Sequence, residues 1–202
     1  MTFLPNCCLV ATGHEDGAIR LWNLEINSSV LLKCHDSQRH KNTISCIHAC
    51  RWKDSEFLMC GDYDGHITIW EISEKKAGGG NAGSSTIFPQ MRHVIHNWKI
   101  EKKKGMEHLT DEVLVLNFWC NEDTEEGAIL VGGNNRNIQA YSIRNATLEA
   151  DMSGHTDSVT CMAIESYLLF TGSDDGTILH WDLVRFTKIG KTGSHEDRKS
   201  FL

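Results

Sequence analysis

The 202-residue sequence has no basic excess: 20 Lys and Arg stand against 27 Asp and Glu, a formal net charge of −7. A nucleic-acid surface draws on such an excess, so the balance speaks against that kind of partner. The lysines that do cluster, Lys75–Lys76 and Lys102–Lys104, sit beside Gly and Glu and read as solvated loop. No apolar run approaches the ~20 residues that a membrane helix needs, so no membrane partner is expected. The opening MTFLPNCCLVATG has no basic stretch ahead of its apolar residues and runs straight into a strand-and-turn pattern, unlike a secretory leader. A cytoplasmic chain is therefore expected. Its eight cysteines are scattered, and several alternate with apolar residues, as reduced thiols on buried strand positions would. Long helical periodicity is missing too, which leaves an all-β chain of short apolar runs between Gly, Asn and Asp clusters.

Those runs repeat. ATGHEDGAIRLWNL (11–24), MCGDYDGHITIWEI (59–72), VGGNNRNIQAYSI (131–143) and FTGSDDGTILHWDL (170–183) each give a strand, a tight turn and a strand ending in an aromatic residue. The aromatics are Trp22, Trp70, Tyr141 and Trp181, at spacings of 48, 71 and 40 residues. The shortest spacing is the bare unit, and the longer ones carry insertions. A second element, a histidine followed by a polar turn and a strand, precedes three copies, at His40, His108 and Gly154-His155. In the last copy the strand period of two places Val159, Cys161 and Ala163 on one face. Asp-Gly at Asp175-Gly176 signals a two-residue hairpin turn. An aspartate buried beside such a turn must be hydrogen-bonded or it costs a few kcal/mol.

A unit of about forty residues with a Gly-His opening (Gly154-His155), an Asp-Gly turn and a Trp-Asp close (Trp181-Asp182) resembles the WD40 (WD-repeat) β-propeller family. The resemblance implies four-stranded antiparallel blades in an incomplete or open propeller. Blades are expected near 9–36, 40–100, 108–153 and 155–190, with a flexible insertion at 73–92 and the start of a further repeat at 193–202. It also implies a buried hydrogen-bond chain through His155, Thr171, Asp175 and Trp181. Partial copies fall on Asp16 and Trp22, with Thr12, and on Asp64 and Trp70, where Cys60 replaces the Ser/Thr. The third copy has Asn135-Arg136 for Asp-Gly and Tyr141 for Trp, so the degraded blades are expected to rely on apolar packing and ladder hydrogen bonds. The first copy opens in its second strand, so its inner strand is expected to be lacking. His195 and Asp197 fall 40 residues after His155 and Asp157, as if another repeat were starting. The expected setting is therefore the remainder of a longer propeller, unless the C-terminal tail supplies the first blade's inner strand.

Other motifs carry less. GGGNAG (78–83) contains Gly-x-Gly-x-x-Gly but neither follows a strand into a helix nor leaves an all-β context. GKT (190–192) has Arg185 where a phosphate loop needs glycine. Cys34, His35, His40, Cys46, His48 and Cys50 are dense, but no Cys-x-x-Cys pair is present, and Cys46 aligns with Cys161 as a core position. No metal, cofactor or catalytic residue is expected, and no enzyme. The expected function is a protein–protein interaction scaffold that binds other proteins or peptides through loop faces. Alternatives are a structural subunit of a large axonemal, ciliary or trafficking assembly, located in the cilium or axoneme, and a substrate adaptor of a ubiquitin ligase. The adaptor surface ends in Trp-Asp-x-Arg, and here the arginine after Trp181-Asp182 comes one place late, at Arg185. Candidate partner contacts are Arg39, Trp98, Glu107, Arg136 and Asp157.

Overall fold

The computed structural model describes residues 1–4, 7–33, 38–76, 85–95 and 112–194. Among them sixteen strands form four sheets, each a meander of consecutive antiparallel strands. The first blade holds β1 (Thr2–Leu4), β2 (Leu9–Gly13), β3 (Ile19–Asn23) and β4 (Ser28–Leu31). The second holds β5 (Ile44–Trp52), β6 (Ser55–Asp62), β7 (Ile67–Lys76) and β8 (Ser85–Ile95). The third holds β9 (Val113–Cys120), β10 (Gly127–Gly133), β11 (Ile138–Ser142) and β12 (Leu148–Met152). The fourth holds β13 (Val159–Glu165), β14 (Leu168–Ser173), β15 (Thr177–Asp182) and β16 (Thr187–Ser194). Among the described residues no helix is long and apolar enough to cross a membrane.

Three differences from the sequence reading stand out. The first blade does have an inner strand: Thr2, Phe3 and Leu4 pair with Ala11, Val10 and Leu9. It is only three residues long and brings no histidine, so nothing in the repeat pattern marks it. Residues 73–76 and 85–92, expected in a flexible insertion, extend the β7–β8 ladder, with pairing from Ile67↔Ile95 out to Lys76↔Ser85. Residues 193–194 end the fourth blade's outer strand and do not open a new repeat, while His195 and Asp197 lie outside the described residues.

Three apolar clusters bind the blades in chain order. Leu4, Leu9, Leu21 and Ile44 meet Leu58 and Trp70 between blades one and two. Phe57, Met59, Ile67 and Ile69 meet Val113, Ile129 and Tyr141 between two and three. Leu130, Ile138 and Ala140 meet Val159, Leu179 and Trp181 between three and four. Each blade thus has a leading face toward its predecessor and a trailing face toward its successor, as the period-two alternation of strands requires.

The junctions share one device. In blades two to four the inner strand bulges directly after its first residue, at Ile44/Cys46, Val113/Val115 and Val159/Cys161. A bulge adds one residue and reverses which side its neighbours face. The first residue therefore turns to the leading face and seats over a glycine at the end of the preceding blade's second strand. A Cβ on Gly13 would lie 2.3 Å from Ile44 Cγ2, and one on Gly61 2.6 Å from Val113 Cγ1. The bulge corrects the sequence reading of β13: Val159 is fully buried, whereas Cys161 and Ala163 point the other way and are exposed. Gly172, the fourth blade's counterpart, has only Cys161 Sγ within reach of a Cβ among the described residues.

The Asp-Gly turns are wider than the two-residue type expected. Only the glycines, Gly17, Gly65 and Gly176, take positive φ (76–77°), and each donates its N–H back to the residue three before it. This is the three-residue hairpin geometry, in which glycine alone needs the left-handed region. In the third blade Arg136 takes that role at φ 68°. Asn27, Ala146, Ser166 and Phe186 are also left-handed, in the short hairpins on the opposite rim.

Candidate functional site

The fourth blade contains a continuous polar chain inside an apolar wall. Trp181 Nε1 donates to Thr171 Oγ1 at 2.8 Å, and the Thr171 hydroxyl reaches His155 Nε2 at 2.8 Å. His155 Nδ1 then donates to Asp175 Oδ2 at 3.0 Å. The indole only donates, the carboxylate only accepts, and the hydroxyl and imidazole between them each accept one bond and donate one, so the direction is self-consistent. Asp175 also accepts from the Thr156 and Thr177 backbone N–H groups and, at 2.6 Å, from the Thr177 hydroxyl. Burial alone pushes this carboxyl's pKa up, but the donors from Thr177, Thr156 and His155 outweigh it and hold the group well below the usual carboxylate range. Both imidazole nitrogens are committed and the His155 side chain is fully buried. Such a histidine braces the blade and offers no lone pair to a substrate.

The second blade builds the same chain from different residues. His40 Nδ1 donates to Asp62 Oδ2 at 2.7 Å, and His40 Nε2 contacts Thr68 Oγ1 at 2.8 Å. Trp70 Nε1 donates to Thr68 at 3.0 Å. Thr68 is the cross-strand partner of Cys60. The hydroxyl missing from β6 is thus supplied by the adjacent strand, one ladder step away. Asp62 replaces the expected Asp64, whose Oδ1 instead accepts from the Asn42 amide at 3.1 Å. Asp62 Oδ1 also takes the backbone N–H groups of Asp64 and His66. The second blade is therefore cross-braced as fully as the fourth.

The first and third blades keep fragments. Trp22 Nε1 donates to Thr12 at 2.8 Å, and Thr12 contacts His14 Nε2 at 3.0 Å, so a turn histidine stands in for one on an inner loop. Asp16 stays in its turn, accepting from the Ala18 N–H at 3.0 Å. In the third blade Tyr141 Oη donates to Gln139 at 2.9 Å, the same two-residue offset as Trp70 to Thr68.

His40, Asp62 and His66 place possible ligand atoms within 4.8 Å of one another. Both His40 nitrogens are engaged, so a cation would have to displace the Asp62 or Thr68 contact; the His66 ring lies against His40, with centroids 4.8 Å apart. Cys34 and His35 lie outside the described residues. Burial pushes the Cys46 and Cys50 thiols up to about 12. Cys161, aligned with Cys46 as core, is instead exposed on the trailing face of the last blade.

The described candidate partner contacts differ in exposure. Arg39 and Asp157 are exposed. Arg136, expected on an open loop, is half-buried, and its Nε is enclosed with no hydrogen-bond partner among the described residues. Trp98 and Glu107 fall outside the described residues. What the sequence did not flag is an open groove at the rim between blades two and three. It is lined by Trp52, Phe57, Glu71, Arg92, His93 and Arg144, with Lys53, Ser55 and Ile143. Its residues come from one hairpin, two further strands and a turn in the next blade, so no local motif announces it.

The family model described as "WD domain, G-beta repeat" matches residues 1–23, 31–71 and 146–182. The last two matches start on or just before one blade's outer strand and end on the next blade's third strand, so the sequence repeat straddles two sheets. The Dictyostelium discoideum "WD repeat-containing protein 91 homolog" is 24% identical over 99% of this chain and 28% of its own length. The Xenopus laevis "Methylosome protein WDR77" is 25% identical over 92% of this chain and 47% of its own length. This chain spans less than half the length of either relative. Among solved structures, a chain in "Crystal Structure of Mitotic Checkpoint Complex" superposes with a TM-score of 0.66 over 96% of this chain and 50% of its own, at 15% identity. The computationally designed Ika8 protein gives 0.65 over 93% and 46%, at 19% identity. With four meander sheets in series, a His–Asp–Thr–Trp brace in two of them and the repeat model matched three times over, the chain belongs to the WD40, or WD domain G-beta repeat, family.

Proposed function

We propose that this chain is part of a non-catalytic protein–protein interaction scaffold. WD40 propellers are generally not enzymes, and the observation that carries the reading here is how the acid–imidazole pairs are used. His40 with Asp62, and His155 with Asp175, are buried and spent on bracing blades, and they hold the turns at one rim in register. Rigid strands with supported turns provide a platform on which loops and rim grooves meet other proteins. The test is cross-linking of captured partners followed by mass spectrometry. Cross-links concentrated on the rim turns support the reading, and partners linked only through the flat sheet faces at either end of the array would overturn it.

A longer propeller is the proposed setting. Phe3 and Trp22 on the leading face of blade one are 53% and 38% exposed, and Ile178 on the trailing face of blade four is 43% exposed. The equivalents of Trp22 and Ile178 at the internal junctions, such as Trp70, Trp181 and Ile67, are core residues, which supports further blades on both faces. Expressed alone, the 22.7 kDa chain should then self-associate in analytical ultracentrifugation. A monodisperse, fully folded monomer would count against this setting.

A further inference from the structure

The groove between blades two and three deepens the scaffold reading, on which it rests. Phe57 and Ile143, 6% and 2% exposed, form its apolar floor. Trp52 stands at the wall, and its Nε1 donates to the Glu125 carbonyl at 3.1 Å, which ties the indole to the third blade. Arg92 is held through Nε and Nη2 by the Glu71 carboxylate, itself fixed by the Ser55 hydroxyl at 2.5 Å. Lys53 lies 5.1 Å from the Trp52 ring centroid and 3.9 Å from Glu125. Arg144 is exposed, and its guanidinium has no ion pair among the described residues.

Lys53, Arg92 and Arg144 set three positive charges against Glu71 in the lining and Glu125, the ion-pair partner of Lys53, a local excess of one in a chain of net charge −7. Glu71 aims Arg92 as well as offsetting it, so one guanidinium is positioned in advance while another, Arg144, stays available. The volume of about 430 Å³ suits one or two side chains. The adjoining groove shares Trp52 and Arg144 but is lined by Glu126 and Glu149. A polyanion such as a nucleic acid would meet those carboxylates, whereas a single acidic residue would not.

We propose that this groove, floored by Phe57 and Ile143 and flanked by Arg92 and Arg144, docks a short peptide segment in which one acidic side chain adjoins an apolar one. The carboxylate pairs with Arg144 and the free edge of Arg92, and the apolar side chain settles on Phe57 and Ile143 beside Trp52.

The probe is a terminally blocked pentapeptide, Ser-Leu-Glu-Leu-Ser, titrated into the 15N-labelled 202-residue chain, with its Gln counterpart as control. The Trp52 indole N–H resonance should shift saturably with the Glu peptide, and the Gln peptide should bind at least tenfold more weakly. Arg144→Glu should weaken the Glu peptide at least tenfold, Arg144→Lys should lose less, and Lys191→Glu, on β16, should change nothing. Equal binding of both peptides, an unmoved Trp52 indole or an indifferent Arg144→Glu variant would overturn the proposal. If partners still cross-link to the rims of a chain carrying Arg144→Glu, the groove fails and the scaffold stands. If rim cross-links are absent from the native chain as well, the scaffold reading itself has failed.

Discussion

Blades two and four solve one problem with different residues. Both bury a tryptophan indole and an imidazole at a junction, and both must give each N–H a partner. In blade four the hydroxyl comes from Thr171 on the second strand and the acid from the turn, Asp175. In blade two the hydroxyl is Thr68 on the third strand and the acid is Asp62 at the end of the second. Paired positions on adjacent strands lie about 5 Å apart, so a hydroxyl on either strand reaches the same imidazole. The difference shows that the fold demands a place in space and not a place in the sequence.

The sharpest test of that equivalence removes the hydroxyl from each blade. Thr68→Val and Thr171→Val should each destabilise the chain by about 2–4 kcal/mol in urea unfolding, because each strands an indole N–H and an imidazole nitrogen in an apolar wall. A loss in blade four alone would break the comparison. Asp64→Ala, at the position the repeat motif favours, should cost less than about 0.5 kcal/mol.

The two blades differ in what covers their trailing faces, and alkaline pH reads this out. Cys46 and Cys50 sit half-buried on blade two's trailing face, and the loss of solvation there raises both thiols to about 12 from an ordinary 9. A raised folded pKa means that the stabilisation is complete below pH 9 and is lost as pH climbs from there toward 12. By about pH 10 the loss should be roughly 1 kcal/mol per thiol. The Cys46→Ala, Cys50→Ala double variant should show a flatter stability profile between pH 8 and 10, and a profile as steep as the native one would contradict the burial argument. Glycine substitutions probe the same faces. Gly61→Ala drives a methyl against Val113 and should cost about 1–3 kcal/mol, whereas Gly172→Ala meets only the mobile end of Cys161 and should cost less than about 1 kcal/mol. Smallest, and opposite in sign, is Arg136→Gly. It relieves a left-handed residue and an enclosed, unpaired Nε, and should raise stability by about 1 kcal/mol in thermal unfolding.

The blade architecture was legible because turn and strand signals are local: Asp175-Gly176, Trp181-Asp182 and four copies of the second-strand glycine, Gly13, Gly61, Gly132 and Gly172, fall in register. The brace of blade two was not, because Thr68 replaces Cys60 across a ladder, a relation that exists only once the strands pair. Strand β1 was missed because three residues, Thr2 to Leu4, carry too short an alternation to register. The face of Cys161 was misjudged because one bulge residue, Thr160, undoes the parity on which every strand reading depends. The groove was invisible for a plainer reason: Trp52, Arg92 and Arg144 are 40 and 52 residues apart along the chain and meet only where two blades abut.

The left-handed residues in the short hairpins have a practical consequence. Asn27 and Ser166 each hold a backbone shape that glycine adopts without cost, and both are exposed at the rim, away from the junction cores, whereas Ala146 packs against the seam between blades two and three. The chain therefore carries an untapped reserve of thermal robustness, reachable through two surface exchanges that leave the inter-blade seams as they are.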